Sequence, residues 1–122
     1  MSELKMALAD VMDRWSIALL KKHAGGLDVD AEIARLAQAA MNTSIAPDRI
    51  YSWLCDLVLC NSLIWSLEAD IRLGKEGRLG FEEVGRRAIA IRDHNRKRTE
   101  IKARISIATG DTPDVKVDHA SA

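Results

Sequence analysis

Between Tyr51 and Leu67 the chain is apolar nearly all the way round a helix, with Trp53, Leu54, Leu57, Val58, Leu59, Leu63, Ile64 and Trp65 leaving little polar surface. A helix of that kind is stable in water only where neighbours surround it. The rest of the 122 residues therefore has to supply covering elements, and its punctuation says how many. Only two prolines occur, Pro47 and Pro113, and the seven glycines fall mostly in clusters: Gly25-Gly26, then Gly74, Gly77 and Gly80.

These breaks delimit four helical segments. The first runs from Ser2, a capping residue, to about His23, with Leu4, Leu8, Val11, Trp15, Ala18 and Leu19 at helical spacing, and Ala24-Gly25-Gly26 ends it. The second starts at Asp28 or Asp30, places Ile33, Leu36, Ala37, Ala40 and Met41 on one face, and ends near Asn42. Pro47 suits the first turn of the third helix and Asp48 its positive dipole end, and this helix is expected to reach Leu73. A reversal over Gly74–Gly80 leads to a fourth helix from Phe81 to about Ile107, carrying Val84, Ala88, Ile91, Ile101 and Ile105. No β signal competes. The expected fold is an all-α antiparallel bundle of about four helices with a long central hairpin: a single domain over residues 1–110 and a flexible tail over 111–122.

Composition narrows the class. With 48% hydrophobic residues and 18 basic against 18 acidic side chains, the chain has the balance of one globular domain and none of the signs of a disordered one. Two cysteines are too few for a disulfide framework, no apolar run reaches the roughly 18 residues of a membrane span, and Met1-Ser2-Glu3-Leu4-Lys5 lacks signal-peptide character. A reduced, cytoplasmic protein is expected. Zero net charge removes the global electrostatic argument for a nucleic-acid partner.

Polar residues on apolar faces carry the most information about a site. With Trp53 at zero, Leu57, Ile50 and Leu54 fall at roughly 40°, 60° and 100°, and Asn61, Glu68 and Arg72 fall at roughly 80°, 60° and 100°, inside the same arc. On the fourth helix Asn95 lies on the side of Val84, Ala88 and Ile91, with Arg92 at its edge. A reversal centred near Gly77 or Arg78 brings Asn61 level with Asn95, and Glu68 level with Arg87 and within a turn of Arg92. Buried amides and carboxylates need partners. One reading is a hydrogen-bonded network of Asn61, Asn95, Glu68 and Arg92 that fixes helix register, as buried asparagines do in coiled coils. The other is a small-molecule pocket with Trp65 as its apolar wall and Glu68 as general acid or base. A third possibility leaves Glu68 and Arg72 reaching solvent at the hairpin end.

The segments Asn61-Ser62-Leu63-Ile64-Trp65-Ser66-Leu67-Glu68-Ala69-Asp70-Ile71-Arg72 and Ile91-Arg92-Asp93-His94-Asn95-Arg96-Lys97-Arg98 resemble the bacterial DUF4254 family of uncharacterised helical proteins. That family has an N-x3-W-x-x-E-x3-R stripe followed by an I-D-x-x-N-x-x-R element. Asn61, Trp65, Glu68, Arg72, Asn95 and Arg98 stand at the corresponding positions, across about the C-terminal half of the chain. The chain is short for the family, has Ser66 where a histidine often follows the tryptophan, and has Arg92 between isoleucine and aspartate. The resemblance implies a helical fold and a polar stripe, and no particular chemistry.

Other constellations are weaker. Cys55 and Cys60 point to different sides of one helix and read as core thiols. His23, His94 and His119 lack metal-ligand spacing, so no metal or cofactor is expected, and His23 suits a helix C-terminus. Gly74-Lys75-Glu76 lacks the Ser or Thr and the preceding strand of a phosphate-binding loop, and no Gly-x-Ser-x-Gly elbow occurs, so no catalytic residue is assigned. Between Arg86 and Arg104 the fourth helix carries Arg86, Arg87, Arg92, Arg96, Lys97, Arg98, Lys102 and Arg104 against Asp93 and Glu100. Such a helix could meet nucleic-acid phosphates, but its bases wrap around the axis without interleaved aromatics, which favours a solvated face or a protein contact. Because four helices hardly cover every side of the apolar third, a homo-oligomer or a protein partner is expected.

Overall fold

The computed structural model describes residues 6–72, 77 and 79–111, which form helices and no strand. They are α1 (Leu8–His23), α2 (Asp30–Met41), α3 (Pro47–Leu67), the single turn α4 (Ala69–Arg72) and α5 (Gly80–Thr109). Four substantial helices in the expected order make this an all-α bundle. Of the expected tail over 111–122 all but Asp111 lies outside the described residues, as do Ser2 and Leu4.

Helix boundaries follow local chemistry, with two differences from the sequence reading. α1 begins at Leu8 rather than Ser2, after Ala7 in extended conformation and without a side-chain cap. Its last turn places Lys21, Lys22 and His23 at the negative end of the dipole. Gly25 follows because a Cβ there would stand 2.9 Å from the Lys21 carbonyl oxygen and 3.4 Å from Trp65 Cζ2, so α1 and α3 approach through it. An ion pair of 2.7 Å between Lys22 and Asp30 ties the end of α1 to the start of α2. The second difference is that α3 stops at Leu67, not Leu73. Glu68 caps it with its own N–H on the Ile64 carbonyl at 3.0 Å, and the chain re-enters helix only for the α4 turn. α5 ends at Gly110, whose φ of 81° lets the Asp111 N–H return to the Ser106 carbonyl at 2.8 Å.

α3 and α5 form the expected antiparallel hairpin. Cys60 Sγ donates to the His94 carbonyl at 3.1 Å and Arg87 Nη1 to the Leu67 carbonyl at 3.4 Å, and both pairs have residue 77 as their midpoint. α1 packs against α2, α3 and α5. The core is asymmetric. Met12, Leu36, Ile50, Leu57 and Ile105 are sealed from solvent, with Val11, Trp15, Ala40, Trp53, Leu54 and Ile101 around them. They come from α1, α2, the first half of α3 and the last third of α5, and burying each large side chain contributes about 1.5–3 kcal/mol.

The apolar third helix is therefore not surrounded. Tyr51 and Leu59 are each 63% exposed and Leu63 42%, because α1 and α5 cover one side of α3 and nothing described covers the other. Among the described residues, α3 is also the one helix that is, at 21 residues, long and apolar enough to cross a membrane by length and composition. Its Asn61 and packed face engage α1 and α5.

Candidate functional site

Where α1, α3 and α5 meet, three buried polar residues sit above the core: Asp13 (5% exposed), Ser16 (0%) and Asn61 (5%). Arg98 of α5 reaches over Asp13 in a two-pronged ion pair, Nε to Oδ1 at 2.9 Å and Nη2 to Oδ2 at 2.5 Å. Asn61 Nδ2 donates to Asp13 Oδ1 at 3.1 Å and to Ser16 Oγ at 2.8 Å. The Ser16 hydroxyl donates back to the Asp13 carbonyl at 2.6 Å, and Arg98 Nη1 donates to Asn95 Oδ1 at 3.3 Å. Beside this cluster, Lys102 pairs with Asp10 at 3.0 Å, so two acids on one face of α1 meet two bases on α5.

The cluster links three helices at one level. Asp13 holds the Arg98 guanidinium even more firmly protonated than usual through its hydrogen bonds, against the opposing effect of burial. Both oxygens of Asp13 are engaged, and Ser16 has its proton committed to a carbonyl. Fork-to-carboxylate pairing of this kind adds directional specificity to the contact between α1 and α5.

The seven residues singled out in the sequence divide. Asn61, Asn95 and Arg98 belong to the cluster. Asn61 and Asn95 stand level, as the hairpin register requires, but meet through Arg98 and Asp13 rather than each other. Glu68 does not pair with Arg92 or Arg87: it is the half-buried cap of α3, and its charge acts on Arg98 at longer range. Arg92 lies exposed on α5 and makes a 3.4 Å contact with neighbouring Asp93, because its position at the edge of the stripe turns it to solvent. Trp65 is half-buried with its ring edge close to Gly25. The Arg72 side chain lies outside the described residues. Asp13 and Ser16, which hold the cluster together, were not anticipated.

Neither cysteine pairs. Cys60 is buried, and burial pushes its thiol above the ordinary range. Cys55 is exposed on α3, contrary to the expectation of two core thiols, because it lies on the face that no neighbour covers. Among the described residues no three His, Cys, Asp or Glu side chains come together at metal-binding range. An open groove of about 400 Å³ lies between α3 and α5, lined in part by Leu63, Cys60, His94, Lys97 and Glu100, and by none of the seven singled-out residues. His94 Nδ1 is buried without a described hydrogen-bond partner.

The basic helix is largely neutralised from within. Arg86 and Arg87 both bond Glu83, whose carboxyl is held below the usual range chiefly by Arg87. Arg98 and Lys102 are taken by α1, and Arg92 and Arg96 share the one carboxylate of Asp93. No protein-family model matches the chain, and neither does any curated protein or solved structure.

Proposed function

We propose that this chain is a cytoplasmic protein-interaction module that works as a homo-oligomer, with the Asp13–Arg98–Asn61 cluster fixing the register of its helices. The observation that carries this reading is the uncovered face of α3, where Tyr51, Leu59 and Leu63 are exposed on a helix whose composition calls for neighbours on all sides. An isologous contact between two copies covers such a face with a single self-complementary patch. The enzyme alternative required a solvent-reaching pocket lined by Glu68, Asn61, Asn95 and Arg92. Those residues instead divide between a mutually bonded cluster and the surface, which favours the module. The resemblance to DUF4254 proteins belongs to this proposal at the level of fold and polar stripe.

Sedimentation velocity or light scattering tests it. A dimer or larger species at tens of micromolar, reduced to monomer by Leu59→Asp, is expected. A monomer at high micromolar concentration overturns the reading.

A further inference from the structure

α5 is 30 residues long against 21 in α3 and 16 in α1, and one stripe runs along it at alternating steps of three and four. Its C-terminal part contains Asn95, Arg98 and Lys102, and then Ile105, which is sealed in the core. That part already holds a helix: α1 lays Val11, Met12 and Trp15 into the core while its Asp10 and Asp13 meet Lys102 and Arg98. α1 shows what fits this stripe, namely an amphipathic helix with acids along its edge. The N-terminal part of the same stripe is Phe81, Val84, Ala88 and Ile91. Half-buried and exposed positions alternate along it: Ile91 and Val84 are half-buried, while Ala88 and Phe81 are exposed, the latter 98%. Arg92, next to Ile91, and Arg96, one turn on, have between them only Asp93, so the flank keeps a positive excess.

We infer that the N-terminal half of α5 docks an acidic amphipathic helix of a partner protein, with Phe81, Val84, Ala88 and Ile91 as the apolar seat and Arg92 and Arg96 meeting the partner's acids. Helix-in-groove recognition uses this arrangement, with apolar anchors at 3-4 spacing and charges at the rim. A second copy of α5 is the poorer occupant. α5 carries Arg86, Arg87, Arg92, Arg96, Lys97, Arg98, Lys102 and Arg104 against Glu82, Glu83, Asp93 and Glu100, so pairing two of them brings like charges together. The surface is also distinct from the outer face of α3, since the stripe lies on the side of α5 that α1 engages.

Fluorescence anisotropy with the full chain tests the inference, using a labelled peptide of about 14 residues with Leu at 3-4 spacing and Glu elsewhere. Two controls are a scrambled peptide of the same composition and a version with Lys in place of Glu. Only the patterned acidic peptide should bind. Phe81→Asp, at a position too exposed to affect folding, should weaken it at least about tenfold, while Leu59→Asp leaves it unchanged. Arg92→Glu with Arg96→Glu should shift the preference to the Lys peptide. Equal binding of the scrambled peptide, or undiminished binding by Phe81→Asp, overturns the inference. So does a wild-type oligomer that Phe81→Asp dissociates, since the stripe would then hold a second copy. A single-stranded oligonucleotide that displaces the peptide and binds Phe81→Asp as well as wild type assigns the arginines to nucleic acid, and also overturns it. Subunit number is read separately by sedimentation with Leu59→Asp, so failure here leaves the oligomer reading standing.

Discussion

Asp13 is the residue on which the polar cluster turns, because it alone accepts from both Arg98 and Asn61. Asp13→Ala leaves the half-buried Arg98 guanidinium and the buried Asn61 amide without their acceptor and should cost about 3 kcal/mol, a fall in melting temperature of roughly 10 °C. Asp13→Asn keeps the shape and part of the bonding and should cost less. Glu68→Ala, at a half-buried cap, should change stability by no more than about 1 kcal/mol, and thermal denaturation of the three variants checks the ordering. Cys60 supplies a pH test. Its folded pKa is raised above the usual 9.0 by burial, so its contribution is complete below that value and is lost as pH rises through the folded pKa, because the unfolded thiol ionises first. Stability should fall more steeply above pH 9 in the wild type than in Cys60→Ser, and Cys55 should alkylate well before Cys60 at pH 8. Most of this cluster was legible in the sequence. Asn61 and Asn95 betray themselves by lying in apolar arcs, and Ser16 does too, at roughly 80° from Leu8 where Met12 lies at roughly 40° and Ala9 at roughly 100°. Asp13, at roughly 140°, reads as solvent-facing from α1 alone. Its burial is created by Arg98, which lies 85 residues away in sequence.

At the scale of elements, helix type and order were legible because each segment has both an apolar period and a stop signal, and the hairpin register followed from the position of the glycine turn. The early end of α3 was not. Neither proline nor glycine stands near Glu68, so no local stop signal marks the break. Two glycines test how far local chemistry governs these helices. Gly85 lies exposed inside α5 with open space where a Cβ would go, so Gly85→Ala should stabilise by about 0.5–1 kcal/mol. Gly25→Ala forces its methyl against the Lys21 carbonyl and should destabilise by about 1–3 kcal/mol. Chemical denaturation of the pair should give opposite signs, and a gain in both would mean that the α1–α3 approach is looser than the contacts at Gly25 imply.

For the molecule as a whole, equal numbers of acids and bases conceal a division of labour, in which α5 carries a positive excess and α1 supplies two of its counter-charges. The core is equally uneven, since every fully buried residue of α5 lies at Ile101, Ile105 or Ser106 and none lies earlier. That gradient along one continuous helix has a consequence for motion. Amide protons around Ile101–Ser106 can exchange with solvent deuterium only when the whole domain opens, whereas those around Val84–Ile89 need only a local fraying of the hairpin tip. Exchange rates along α5 should therefore span orders of magnitude, with the step falling near Asn95 and Arg98. A ligand seated on the early turns would slow the fast end and leave the slow end untouched, giving α5 a built-in readout of occupancy.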